Sequence, residues 1–194
     1  MFSFISASFA ILLAASQVAA VPSGSSPSVA KRITGCDGLG SGTVNTLFTF
    51  RLTASGGTNK GEDLVLVDSG ENVGDADIFV LATRNTVPTP FVPTFSLNNA
   101  VLTPDGTNQV DLAVAAGELP GFAANHGEGG HIYCAAPVGG NFVLAVNGDK
   151  SSFALCFANE SPNPRRFVVY KPDSNHPAYN SKTCQSVQLN IVDV

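Results

Sequence analysis

From Thr43 onward, Gly, Pro, Asn and Asp recur every 8 to 12 residues, and between them lie short runs rich in Val, Phe, Leu, Ile and Thr. This punctuation limits the fold more than any other feature of the chain. β-Branched and aromatic side chains suit a pleated, half-buried surface, and turn residues at this spacing leave room for short strands but not for helices. The pattern predicts strands near residues 46–53, 63–67, 78–82, 94–97, 100–103, 109–114, 131–135, 141–146, 152–157, 166–171 and 186–192. In Val187-Gln188-Leu189-Asn190-Ile191 the alternation is clean, with one face for a core and one for water. Val146-Asn147-Gly148-Asp149 carries the Asn-Gly pair that favours a hairpin turn, because both central residues accept positive φ. Only Val110–Leu119 admits a short helix, and Gly117 and Pro120 interrupt it. The expected fold is all-β: a compact antiparallel β-sandwich or jelly-roll, with a trefoil-like barrel as the close alternative. The barrel alternative rests on a faint recurrence of Phe-x-Leu, at Phe50-Arg51-Leu52, Phe95-Ser96-Leu97 and Phe142-Val143-Leu144.

The two ends differ from this middle. Residues 2–20 carry no charged side chain, contain the apolar run Phe9–Ala15 and finish in Val18-Ala19-Ala20. That run is too short to span a bilayer and reads as a signal peptide over 1–20, cut after Ala20. Residues 21–32 form a Ser/Pro-rich stretch, poor in apolar surface, that ends at Lys31-Arg32. A flexible segment with a terminal dibasic pair resembles a pro-segment removed by a kexin-type protease. The expected mature chain is a single β domain over 33–194.

Charge excludes some partners. The chain has 10 Lys+Arg against 15 Asp+Glu, a formal charge of −5 and a pI near 5.0. Phosphate backbones are gripped by clustered cations, so nucleic acid is not an expected partner. After signal cleavage no membrane association is expected either, and no hydrophobic tail suggests a lipid anchor.

Cys36, Cys134, Cys156 and Cys184 all lie in the expected mature region. An even number in an exported chain argues for two disulfides. Of the three possible pairings, the expectation is Cys36 with Cys184 and Cys134 with Cys156. Asn159-Glu160-Ser161 is a glycosylation sequon, followed directly by Pro162.

The densest chemistry is Asn125-His126-Gly127-Glu128-Gly129-Gly130-His131. His126, Glu128 and His131 offer two imidazoles and a carboxylate, which could bind a metal or supply an acid and a base. The spacing lacks the helical i, i+4 pairing of a zinc helix, so an exposed glycine-rich loop is the plainer reading. Glu62, Asp63, Asp68, Glu71, Asp75 and Asp77 cluster around Ser69-Gly70, yet without a calcium-loop pattern they read as solvated charge. No cofactor is expected, and no metal is assigned. No G-x-S-x-G elbow is present, and the absence of Trp removes the best platform for a sugar. Residues 171–179 form a long loop carrying His176 and Tyr179.

On Val18-Ala19-Ala20, Lys31-Arg32 and the four cysteines, the layout resembles small secreted, disulfide-bonded proteins of filamentous fungi. It departs from the fungal secreted ribonucleases and ribotoxins, because basic residues are not clustered, Tyr is scarce and no Glu-His-Arg-His set falls in matching strands. No catalytic residue is therefore carried over. The expected function is that of a secreted, non-enzymatic binding protein, associated with a cell surface or wall or acting on a host. Its ligand would be a wall component, a glycan or a protein. The alternatives are a small extracellular hydrolase using His126, Glu128 and His131, and a lectin-like glycan binder with Tyr179 and Asn180 as its contact pair.

Overall fold

Each predicted strand is present, and one more besides. The computed structural model describes residues 35–87, 89–125, 127–159 and 164–194. The expected leader and pro-segment, with Ala20, Lys31 and Arg32, lie outside the described residues, as do His126 and residues 160–163. The strands are β1 (Leu47–Gly56), β2 (Asn59–Val73), β3 (Ala76–Thr83), β4 (Phe95–Asn98), β5 (Val101–Pro104), β6 (Gln109–Asp111), β7 (Gly121–Ala124), β8 (Tyr133–Val138), β9 (Asn141–Val146), β10 (Phe153–Phe157), β11 (Arg166–Tyr170) and β12 (Gln185–Asp193). Among the described residues the helical content is two single 3-10 turns, Arg84–Thr86 and Ser181–Thr183. Val110–Leu119 is not helical, and Gly117 there takes a φ of +90° within a turn.

The fold is all-β, and six strands close into an antiparallel barrel in the order β1-β2-β3-β11-β10-β12, with β12 pairing back onto β1. Three barrel strands share an edge with a neighbouring hairpin. The start of β1 pairs with β4 (Phe50 opposite Phe95), the first half of β3 with β7 (Val80 opposite Gly121), and the end of β12 with β9 (Ile191 opposite Phe142). Phe50 also pairs with Asp193, so these hand-overs gather at one end of the barrel. The hairpins β4–β5, β6–β7 and β8–β9 thus form one continuous insertion between β3 and β10. The Phe-x-Leu recurrence therefore does not mark three equivalent units: its first copy is in the barrel and the other two are in hairpins.

Alternation drives the closure. Phe50, Leu52 and Ala54 of β1 and Val187, Leu189 and Ile191 of β12 are buried, and Leu52 lies opposite Ile191 at the seam. Burying each large apolar side chain contributes about 1.5–3 kcal/mol. Phe95 stacks on Phe50 with ring centroids 6.4 Å apart and tilts against Phe122 at 6.0 Å, which joins the hairpins to the barrel core. At Asn147-Gly148 the φ values are 52° and 75°, and Val146 and Asp149 exchange both backbone hydrogen bonds at 2.9 Å, so the turn forms, but β9 and β10 on either side of it do not pair as a hairpin.

Two disulfides are present, but the expected pairing is wrong: Cys36 joins Cys134, and Cys156 joins Cys184. Register explains both. Leu155 of β10 lies opposite Gln185 of β12, which sets Cys184 beside Cys156. Val44 bridges to Ala135 of β8, so the segment before it brings Cys36 to Cys134. Cys134 packs with Cys36 and Leu39, whereas Cys156 packs with Tyr179, so the expected Cys134–Cys156 bridge would join two separate clusters. The bridges suit an oxidising compartment. Among the described residues, no helix is long and apolar enough to cross a membrane.

Candidate functional site

Of the alternative hydrolase set His126, Glu128 and His131, two members lie among the described residues. Glu128 is exposed, and the His131 ring turns to the backbone, with Nδ1 2.8 Å from the Asn99 carbonyl oxygen. Among the described residues, no group of three His, Cys, Asp or Glu side chains is placed to hold a metal ion. The acidic run is likewise dispersed. Glu62 faces Arg166 at 3.6 Å, Asp63 faces Arg84 at 3.7 Å, and Asp68 Oδ1 accepts the Gly70 N–H at 2.8 Å.

What the loop does is wrap a buried carboxylate that sequence reasoning missed. Asp111 is 1% exposed; Oδ1 accepts the Leu102 N–H at 3.0 Å and Oδ2 accepts the Gly130 N–H at 3.1 Å. Burial pushes its pKa up to about 6, against the pull of those backbone donors and, more weakly, of His131. The Tyr133 hydroxyl is fully buried and finds no hydrogen-bond partner among the described residues, and burial together with the Asp111 charge holds its pKa well above the usual phenol range. Gly129 and Gly130 are needed for this contact. A Cβ on Gly129 would lie 2.5 Å from Val101 Cγ1, and one on Gly130 would lie 2.8 Å from Asp111 Oδ2. The signal in the sequence was slight: in Gln109-Val110-Asp111 it is the acid, not the valine, that points to the core.

The lectin pair is also corrected. Tyr179 is 1% exposed; its hydroxyl donates to the Gly117 carbonyl at 2.9 Å and accepts the Asp173 N–H at 2.9 Å. The Asn180 side chain accepts the Lys182 N–H at 3.1 Å and so caps the second 3-10 turn. Tyr133 and Tyr170 are buried too, so no tyrosine offers an exposed sugar platform.

Tyr179 instead fixes the loop over 171–179. His176 stacks on its ring with centroids 4.7 Å apart and planes 10° from parallel. The Ala178 N–H donates to His176 Nδ1 at 3.2 Å, so that nitrogen is the acceptor. Asn159 Nδ2 donates to the Pro177 and His176 carbonyls at 2.8 and 3.3 Å. The Cys156–Cys184 bridge packs beneath, with Tyr179 and Leu119.

Between this loop and the outer face of β2, β3 and β11 run two adjoining cavities of about 340 and 430 Å³, which share Ser69, Glu71, Phe167, Pro177 and Ala178. The inner one has an apolar floor of Ile78, Val80, Leu112, Leu119 and Phe167, with Glu71, Glu118 and His176 on its rim. The outer one adds Arg165, whose Nη1 donates to the Asp68 carbonyl at 3.2 Å. A larger hollow of about 620 Å³ lies near Lys60, Glu62, Asp63 and Arg84, but it is shallow and polar, and three of those charges are already paired. Ligand sites combine an apolar lining with a few placed polar groups, which the groove has and the hollow lacks. Comparison with protein-family models, curated proteins and solved structures found no significant match to the chain.

Proposed function

We infer that the chain is a secreted extracellular binding protein and that its ligand occupies the groove beside the loop over 171–179. The single observation behind this reading is an apolar floor bordered by Glu71, Glu118, His176 and Arg165, in a wall braced by Tyr179 and the Cys156–Cys184 bridge. The signal-like leader and the pro-segment ending in Lys31-Arg32 support export, and the two disulfides agree with it. A hydrolytic role for Glu128 and His131 finds less support, because the first is exposed and the second is tied to a backbone carbonyl.

The test is retention of the secreted product on wall polysaccharides, glycans and immobilised peptides, beside an Ala113→Arg variant. Ala113 is exposed and lines the inner cavity, so arginine there fills the groove without entering the core. Binding to one class of ligand, lost in the variant at unchanged melting temperature, is the expected result. Equal binding by both proteins would place the ligand elsewhere.

A further inference from the structure

We propose that the inner half of the groove receives a basic side chain, a lysine or arginine presented on an extended segment of a protein partner. The inference rests on the groove being the ligand site and names what enters it. Glu71 and Glu118 line this half, and no Lys or Arg does. Among the described residues the Glu71 carboxylate has no ion pair or hydrogen bond, while the three ion pairs present use Asp63, Glu62 and Asp149.

Glu118 is placed, not merely exposed. Its Oε2 accepts the Ala115 N–H at 2.7 Å, and its turn is held to β11 by Gly117 N–H to the Tyr170 carbonyl at 2.8 Å and Tyr170 N–H to the Glu118 carbonyl at 2.9 Å. His176 on the rim is held in place, its Nδ1 accepting the Ala178 N–H. An apolar floor beneath two carboxylates matches a side chain with an alkyl stem and a cationic head, because the stem stays on the floor while the head reaches the rim. The acidic excess of the chain as a whole favours approach of such a partner.

Arg165 decides between a peptide and a free polyamine. It lines the outer half, reached through the shared Ser69, Glu71 and Phe167. A polyamine lying along the groove would set its second cation against that guanidinium. A peptide can follow its basic residue with a neutral or acidic one, and the second cavity gives it room to continue.

The experiment uses fluorescein-labelled hexapeptide pools with a fixed central Lys, norleucine or Glu, the remaining positions drawn from Ala, Leu, Val and Asp. Anisotropy is read against the secreted protein, its Glu71→Gln/Glu118→Gln variant and Ala113→Arg. The Lys pool is expected to bind at least tenfold more tightly than the other two. The double Gln variant should lose at least tenfold at unchanged melting temperature and show a weaker dependence on salt, since ion pairs near a surface are screened. Equal, Ala113→Arg-sensitive binding of the Lys and norleucine pools would keep the groove as the site and overturn the basic occupant. Spermine displacing the Lys pool at equal concentration would overturn the peptide. If no pool binds in a way that Ala113→Arg abolishes, the peptide inference falls, and retention of a glycan then decides the parent reading separately.

Discussion

Asp111 and Gly130 are joined by a hydrogen bond of 3.1 Å from the glycine amide to a carboxylate that water does not reach. The same carboxylate accepts the Leu102 amide, so one side chain fastens β5, β6 and the loop leading into β8. Its pKa of about 6 lies above the ordinary aspartate value of 3.8, and burial is the cause.

That shift sets a pH dependence. Between pH 4 and 6 the folded chain keeps the Asp111 proton while the unfolded chain has released its own, so stability falls as pH rises through this window. Integrated over the two values, the loss is about 3 kcal/mol by pH 7. Denaturant melts at pH 4.5 and 7 should show this slope, and Asp111→Asn should flatten it. Asp149 acts oppositely: against the upward push of burial, hydrogen bonds from Ser152, Ser151 and Lys171 together lower its pKa to about 2, so its contribution is lost as pH falls from 4 towards 2. An Asp149→Asn variant should therefore be less stable at every pH above 4 and lose the slope between 4 and 2.

Gly129→Ala should destabilise the protein by more than about 2 kcal/mol, because the φ of +81° is strained for alanine and the new methyl strikes Val101 and Asp111. Gly127→Ala, at a φ of +67° with open space around it, should cost only about 1 kcal/mol. Equal melting shifts for the two would contradict the close packing of the loop on Asp111.

Peptide mapping without reduction should recover Cys36 with Cys134 and Cys156 with Cys184. Replacing Cys156 and Cys184 by alanine should cost roughly 4 kcal/mol on the loop-entropy relation, and the longer loop closed by Cys36–Cys134 roughly 5 kcal/mol. Only the first replacement should also weaken ligand retention, since only that bridge packs beneath the groove wall.

Asn159 anchors the loop over 171–179 through its amide, so Asn159→Gln should cost about 1–2 kcal/mol even in protein made without glycosylation. An unchanged melt in that background would leave the sequon as the residue's sole role.

The strands were legible because their period and turn residues are local, and Val187–Ile191 faces the core as its alternation requires. The missed strand, Gly121–Ala124, follows a proline and carries two alanines, and it is held by pairing with β3 and β6 rather than by its own propensity. The disulfides were misassigned because pairing depends on which strands are neighbours, here β10 and β12, and nothing near Cys156 or Cys184 records that adjacency. The groove was hidden for the same reason. Glu71, Glu118 and His176 are far apart in sequence and meet only around the barrel wall. The His126–His131 loop drew notice for its imidazoles, whereas the glycines between them carry its packing on Asp111.

Because the three hairpins outside the barrel are inserted between β3 and β10, the barrel is built from the two ends of the domain, and β12 is its last piece. The molecule cannot complete itself from the front as it is synthesised. Until Gln185–Asp193 is in place, β1 and β10 each keep an open edge, and β9 is paired on one side only, by β8. Such long-range pairing is slow to form and leaves strands exposed to neighbouring chains in the meantime. A clipped final strand would therefore convert a closed wall into two sticky seams at once.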